Sequence, residues 1–238
     1  MLKFLKNELL KYSNPHATAA APHVPAAATS HGNGFKRRLD DVHSVAVGRF
    51  AVDQDYLKNM GLDLVTGNFF SQEQEASNKD YVVINEEAVK ELQFKSAIDA
   101  VGEEIILEHD SSRRTIIGVV TNYNHRDLTR TISPMCLMYD PTQFGVMQVR
   151  YTGSYENATR NIEKAWASVN PGLKVDFKEI ESEIKQFYEI IFGDIVRILG
   201  VVATLAIMIS CLGLLGMATY STETRMKEIS IRKVLGSS

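Results

Sequence analysis

From Ile198 to Thr222 the chain carries no charged residue. A helix of that length, at ~1.5 Å rise per residue, measures roughly 37 Å, more than the ~30 Å hydrocarbon core of a bilayer. Ten of the residues between Ile198 and Leu215 are Leu, Ile or Val. Each favours insertion by about 0.3–0.6 kcal/mol, which sums to roughly 3–6 kcal/mol before small and polar residues subtract their share. The pattern predicts a transmembrane helix over 198–222. Upstream, Ile184, Phe187, Tyr188, Ile191 and Ile195 form one apolar stripe that runs into the span, with Gly193 as the one flexible point. No Gly/Ser-rich or Pro-rich stretch interrupts it, so 180–197 reads as a stiff stalk helix and not as a linker.

The preceding residues alternate between short β-branched runs and helical periods. Met1–Tyr12 predicts a short amphipathic helix with Leu2, Leu5, Leu9 and Leu10 on one side. Ser13–Gly34 is rich in Ala, Pro, His and Ser without a period, so residues 1–34 read as a connector or poorly ordered segment. Organised structure follows over 35–179. Asp55–Met60 predicts a helix closed by Gly61, then a strand Leu62–Thr66 and a turn at Gly67-Asn68. Tyr81–Ile84 reads as a strand, with Asn85 capping a helix Glu86–Leu92. Glu104–Glu108 and Thr115–Val120 read as a hairpin, and Met135–Tyr139 as another strand. Val146–Tyr151, a helix from Ser154 to Val169 and a strand Val175–Lys178 make a βαβ-type subdomain. The predicted class is α+β: that subdomain and a second small α/β subdomain, followed by a stalk helix and one transmembrane helix.

Composition narrows the functions. The chain has 238 residues and a net charge of −3, which leaves no basic footprint for nucleic acid. Its two cysteines set up no disulfide framework. His16, His23 and His31 fall in the first segment without carboxylate or cysteine partners at ligand spacing, so no metal site is expected. No P-loop, Gly-x-Ser-x-Gly or His-Glu-x-x-His occurs. His125-Arg126-Asp127-Leu128 imitates a kinase catalytic loop, but Ile132 stands where a metal-binding Asn is required. Neither catalytic activity nor a cofactor in this chain is expected.

The span also divides by size. Gly200, Ala203, Thr204, Ser210, Cys211 and Ala218 fall on one side of a helical wheel, joined by Ile207 and Leu214, and bulky Val201, Val202, Leu205, Met208, Ile209, Leu212 and Leu215 on the other. Small and hydroxyl-bearing residues let helices approach closely in a bilayer while bulky ones suit lipid, so the small face is expected to pack against other spans. Arg225, Lys227, Arg232 and Lys233 follow the span, against Lys185 and Arg197 before it. That bias places the C-terminus in the cytoplasm and the N-terminal domain on the far side. Met1–Tyr12 contains no uninterrupted apolar stretch of the kind an export signal needs. Either the domain is cytoplasmic, making this a single-span or tail-anchored protein whose α/β domain binds a ligand or partner, or an earlier span belongs to a longer chain.

The segment after the span, Thr222–Gly236 (TETRMKEISIRKVLG), follows directly on Cys211–Gly216 (CLGLLG). Together they resemble the FtsX-type permease signature of ABC transporters. Asp53–Gly61 (DQDYLKNMG), Gly67–Phe70 (GNFF), Val83–Val89 (VINEEAV) and Ile116–Val120 (IIGVV) resemble a MacB-type extracytoplasmic core. The resemblance covers roughly Phe35–Ser238. It implies that 35–179 is the extracytoplasmic domain of a permease in the bacterial inner membrane, and that the chain is a fragment, because the family carries one span before this domain and two after the basic segment. It further implies that 223–238 couples to a separate ATP-binding cassette subunit through Glu223, Arg225, Lys227, Glu228, Ile229, Ile231, Arg232 and Lys233. The implied function is transmission of ATP-driven motion to the outer domain, for export or for lipoprotein or peptide handling. The implied partners are that ATPase, the lipid bilayer, and a second permease copy or other transmembrane helices.

Overall fold

The computed structural model describes residues 2–9, 11, 16–20, 32–38, 41, 44–108, 111–124 and 131–236. These fall into two units, Met1–Ile180 and Glu181–Ser238.

The first unit is built on a mixed sheet. Its strands are β2 (Gly32–Lys36), β3 (Val45–Ala51), β4 (Leu64–Gly67), β5 (Tyr81–Asn85), β6 (Glu104–Leu107), β7 (Arg113–Val120) and β8 (Met135–Met138), in the spatial order β4-β7-β5-β8-β3-β2-β6. The β6 strand bonds to β2 and again to β7, so the sheet closes on itself. The long β7 strand makes this possible. Along one edge it pairs with β5, while the opposite edge is shared, its first residues going to β6 and its last to β4. Strands buried on both faces read as unbroken apolar runs, not as alternation, and YVVI and MCLM are such runs.

Each face of the sheet has its own core. Val82, Ile84, Ile105, Leu107 and Ile116 pack with Phe35, Val47 and the α3 helix (Glu86–Glu91). Val83, Met135 and Leu137 pack on the other side with Phe50, Phe70 and the α2 helix (Tyr56–Met60). The α2 helix ends at Gly61 in the left-handed region (φ +68°), as its sequence predicts. Gly67 (φ +81°) has a second constraint, since a Cβ there would lie 2.3 Å from the Ile117 carbonyl oxygen. The short α4 helix (Ala97–Ala100) also packs here, through Ala100.

Asn85 is the polar junction of this sheet. Fully buried, its Oδ1 accepts from the backbone N–H of Ala88 at 3.0 Å and of Met135 at 2.9 Å, and its Nδ2 donates to the Ser133 carbonyl at 3.1 Å. One side chain therefore ends β5, caps α3 and fixes the start of β8.

A smaller α/β lobe completes the unit. The β1 strand (His16–Ala20) pairs antiparallel with β9 (Val146–Arg150), beside α1 (Leu2–Leu9) and α5 (Tyr155–Val169). Leu5, Leu9 and Ala165 form its core, with Ile162 and Trp166 against them. Two expectations are corrected. The segment 1–34 is not simply a connector, for it contains α1, β1 and the start of β2; 21–31 lie outside the described residues. The β1 strand has no side-chain period to betray it, because backbone pairing with β9 makes it a strand. The predicted strand Val175–Lys178 carries no ladder, and β9 takes β1 as its partner instead.

Lys6 pins this lobe to the sheet. Its ammonium lies 3.1 Å from Asp53 Oδ2 and also bonds Asp55, while Arg150 donates to the Asn59 carbonyl at 3.3 Å. Burial lowers the Lys6 pKa, but hydrogen bonding and charge from Asp55 and Asp53 outweigh it and leave it above the ordinary 10.5.

Two consequences are measurable by urea unfolding of the detergent-solubilised chain followed by circular dichroism. Asn85→Ala removes the acceptor of the buried Ala88 and Met135 N–H groups and a donor to the Ser133 carbonyl, and should cost about 2–4 kcal/mol. Lys6→Met should cost about 1–3 kcal/mol, since it removes the cation beside the buried Asp53 carboxylate. Because the folded Lys6 pKa is raised, this contribution is complete below pH 10.5 and fades as pH climbs past the folded value. The wild-type and Lys6→Met stabilities should therefore converge only in strong alkali.

Candidate functional site: the long helix

The second unit is one helix, α6, running from Ile180 to Val234 over 55 residues, or roughly 82 Å. Stalk, span and charged foot, read separately from sequence, are a single unbroken rod. Gly193 and Gly200 do not interrupt it. Glu181 and Glu183 occupy its first turn and Arg232 and Lys233 its last, each sign matched to the helix dipole. It ends where Gly236 turns left-handed (φ +76°), with its N–H bonded to the Lys233 carbonyl.

Among the described helices α6 is the one long and apolar enough to cross a membrane. Its hydroxyls are accommodated internally. Thr204 donates to the Gly200 carbonyl and Ser210 to the Ala206 carbonyl, both at 2.8 Å; Thr219 donates to Leu215 at 3.0 Å and Thr222 to Ala218 at 2.8 Å. A hydroxyl bonded back to its own helix needs no partner from the hydrocarbon.

Continuity lets residues be placed around one axis from end to end. At ~100° per residue, Gly200, Ala203, Thr204, Ser210, Cys211 and Ala218 fall within one sector, and Arg225, Glu228, Ile229 and Arg232 continue it into the foot. Glu223, Lys227, Ile231 and Lys233 are spread around the remaining circumference. All eight foot residues are exposed. Glu223–Lys227 and Glu228–Arg232 have ion-pair spacing, yet among the described residues neither pair closes, whereas Asp194–Arg197 does at 3.4 Å.

A second stripe emerges only when stalk and span are taken as one helix. Ile184, Tyr188, Ile191, Ile195, Ile198, Val202, Leu205, Ile209 and Leu212 succeed one another at alternating steps of four and three. That is an uninterrupted heptad seam, and it crosses from stalk into span on the side opposite the small residues. Its first members are the stalk stripe that the sequence predicts to run into the span, and the unbroken helix carries the same register on to Leu212. Tyr188 stacks on Phe192 at 6.0 Å within the stalk.

Nothing in the first unit assembles a reactive centre among the described residues, and no three metal-ligating side chains converge there. Burial pushes the Cys136 thiol up to about 12, and both cysteines are free. The kinase-like His125–Leu128 lies outside the described residues.

Known proteins are similar to this chain. The chain is 25% identical over 221 residues to the macrolide export ATP-binding/permease protein MacB of Neisseria gonorrhoeae (strain ATCC 700825 / FA 1090), covering 87% of this chain and 33% of that protein. It thus spans about a third of the length of the curated relatives it matches. Its fold is similar to the crystal structure of the periplasmic region of MacB from Actinobacillus actinomycetemcomitans (TM-score 0.54, 16% identity, 78% of this chain and 81% of that one). It is also similar to the extracellular domain of the noncanonic ABC-type transporter YknZ from Gram-positive bacteria (TM-score 0.51, 12% identity, 73% and 86%). Residues 4–186 match the family described as the MacB-like periplasmic core domain, so the closed sheet and its small lobe are that domain, and the chain belongs to that family.

Proposed function

We propose that this chain is part of the permease subunit of an ABC transporter and conveys motion, driven by ATP on a separate subunit, to its own extracytoplasmic domain. The observation that carries the reading is the unbroken α6, which joins an apolar span to a basic foot directly after the family's core domain. A rod of continuous i→i−4 hydrogen bonds passes on a displacement applied at one end, whereas a flexible linker would absorb it.

In this reading the first unit lies outside the inner membrane of a bacterium and the foot lies in the cytoplasm, in keeping with the excess of Lys and Arg after the span. Glu223, Arg225, Lys227, Glu228, Ile229, Ile231, Arg232 and Lys233 dock on the ATPase, with Arg225, Glu228, Ile229 and Arg232 as a common face. No nucleotide is held by this chain. Its cargo belongs to an export or lipoprotein- or peptide-handling class.

The two stripes on α6 serve different neighbours. The heptad seam extends above the bilayer, where lipid does not reach, so the stalk's Ile184, Ile191 and Ile195 require a protein helix over them. The bulky side of the span is therefore partly covered as well, and not given wholly to lipid. The small-residue face admits a second close contact in the membrane, to another span or a second permease copy.

Arg232→Glu combined with Lys233→Glu, introduced into the transporter with its ATPase co-expressed, should reduce ATPase co-purification and transport at least about tenfold, the effect of losing roughly 1.4 kcal/mol or more. Membrane levels of the permease should stay the same, and undiminished transport would remove the foot from the mechanism. Assembly can be followed by cross-linking in membranes. Ala203→Leu or Ser210→Leu should weaken it, as should Ile191→Glu in the stalk, whereas Leu205→Ile should leave it intact. Equal tolerance on all faces would mean α6 is a lone anchor.

A further inference from the structure

Apart from α6, the first unit has an open groove of about 410 Å³ between α5 and the turn that follows β9. One wall is a face of α5 carrying Asn157, Arg160, Asn161 and Lys164 at helical spacing, and the floor is apolar, from Leu9, Val149 and Ile162. No Asp or Glu lines it, although α5 carries Glu156 and Glu163 on another side and the whole chain is net acidic. Some basic side chains of this unit are ion-paired, as Lys6 is with Asp53 and Arg113 with Glu104. Arg160 and Lys164 form no ion pair among the described residues. The lining of the groove thus carries two positive charges and no negative one, Glu156 and Glu163 lying on α5 outside it.

We propose that this groove binds an acidic, extended segment of a partner protein. The spacing sets the form of the ligand. Arg160 and Lys164 are four residues apart on a helix, about 6 Å along its axis, and residues i and i+2 of an extended chain point the same way about 6.7 Å apart. An acid-x-acid segment laid along α5 meets both cations in step. The amides of Asn157 and Asn161 lie in position to bond its backbone, and the apolar floor receives a small side chain between the charges. Because the groove is open, the attraction is screened by salt. This inference is independent of the transport reading, for the groove belongs to the core domain whatever α6 does.

The test uses the full chain in nonionic detergent and a fluorescein-labelled hexapeptide of alternating Asp and Ser, followed by anisotropy. Saturable binding should weaken severalfold between about 0.05 and about 0.3 M salt. The variant R160Q/K164Q should bind at least about tenfold more weakly, and R113Q, on the far sheet, should bind like the wild type. A peptide of alternating Lys and Ser should not bind. Unchanged affinity in R160Q/K164Q, or equal binding of the Lys peptide, would overturn the proposal. Displacement of the peptide by an equal concentration of inorganic phosphate would overturn it too, in favour of a small-anion site. A benzophenone-tagged copy of the Asp peptide gives a measurement free of variants: cross-links to α5 or residues 151–154 of the wild-type chain support the site, and cross-links elsewhere sink it. Absence of any transport by the wild-type transporter, with this binding intact, would dispose of the permease reading alone.

Discussion

A backbone crossing hydrocarbon must satisfy its own N–H and C=O groups, since the bilayer core offers no water to do so. For α6 that requirement dictates unbroken i→i−4 bonding through the span, and the helix continues without a break into stalk and foot. The hydroxyls of Thr204, Ser210, Thr219 and Thr222 obey the same rule by bonding to carbonyls a turn earlier. Stiffness is thus a by-product of solvation. The glycines at 200, 213 and 216, which would be hinge candidates in water, sit within regular helix, as a span in lipid requires, where unsatisfied backbone groups would cost several kcal/mol each.

The core domain solves a related problem in water. A sheet in the order β4-β7-β5-β8-β3-β2-β6 would leave β6 as an exposed edge, and the second pairing of β6 with β7 removes it. That closure depends on β7 being long enough to serve β6 and β4 on one edge. Gly67 and Gly118 face each other in the ladder, where a Cβ on either would strike backbone oxygen. Asn85 then fixes the start of β8 against the end of β5. Hydrophobic area stabilises this unit, while a few polar and glycine positions decide which arrangement it takes.

What could be read from sequence follows from this division. The Asn85 cap, the Gly61 terminator, the β6–β7 hairpin and α5 were visible because each rests on local chemistry: a capping side chain, a left-handed residue or a helical period. The β1 and β3 strands were not. The residues of β1 (HATAA) carry no alternation, and β3 includes Gly48 and Arg49, so both owe their form to partners distant in sequence. Val175–Lys178 failed in the opposite direction, having strand composition but no ladder. On α6 the foot and small-residue positions were legible singly. Their shared sector, and the heptad seam from Ile184 to Leu212, depend on knowing that the helix does not break.

The length of the charge-free stretch bears on how such a rod can move. The helix from Ile198 to Thr222 is roughly 37 Å long against a hydrocarbon thickness of ~30 Å, a surplus of about one helical turn. Asp194 and Arg197 bound it on one side and Glu223 and Arg225 on the other. A shift along the axis by a turn, about 5.4 Å, or a tilt taking up the same length, brings neither set of charges into hydrocarbon. A span cut to the bilayer thickness would meet a penalty of about 2.5–3.5 kcal/mol for each charge drawn in. Mismatch itself costs only fractions of a kcal/mol per Å. A membrane would therefore hold α6 loosely along its axis, leaving its position to the protein contacts proposed for its two stripes and its foot. For a helix proposed to carry motion from one side of a bilayer to the other, that is the necessary physical condition, and the uncharged interval from Ile198 to Thr222 meets it.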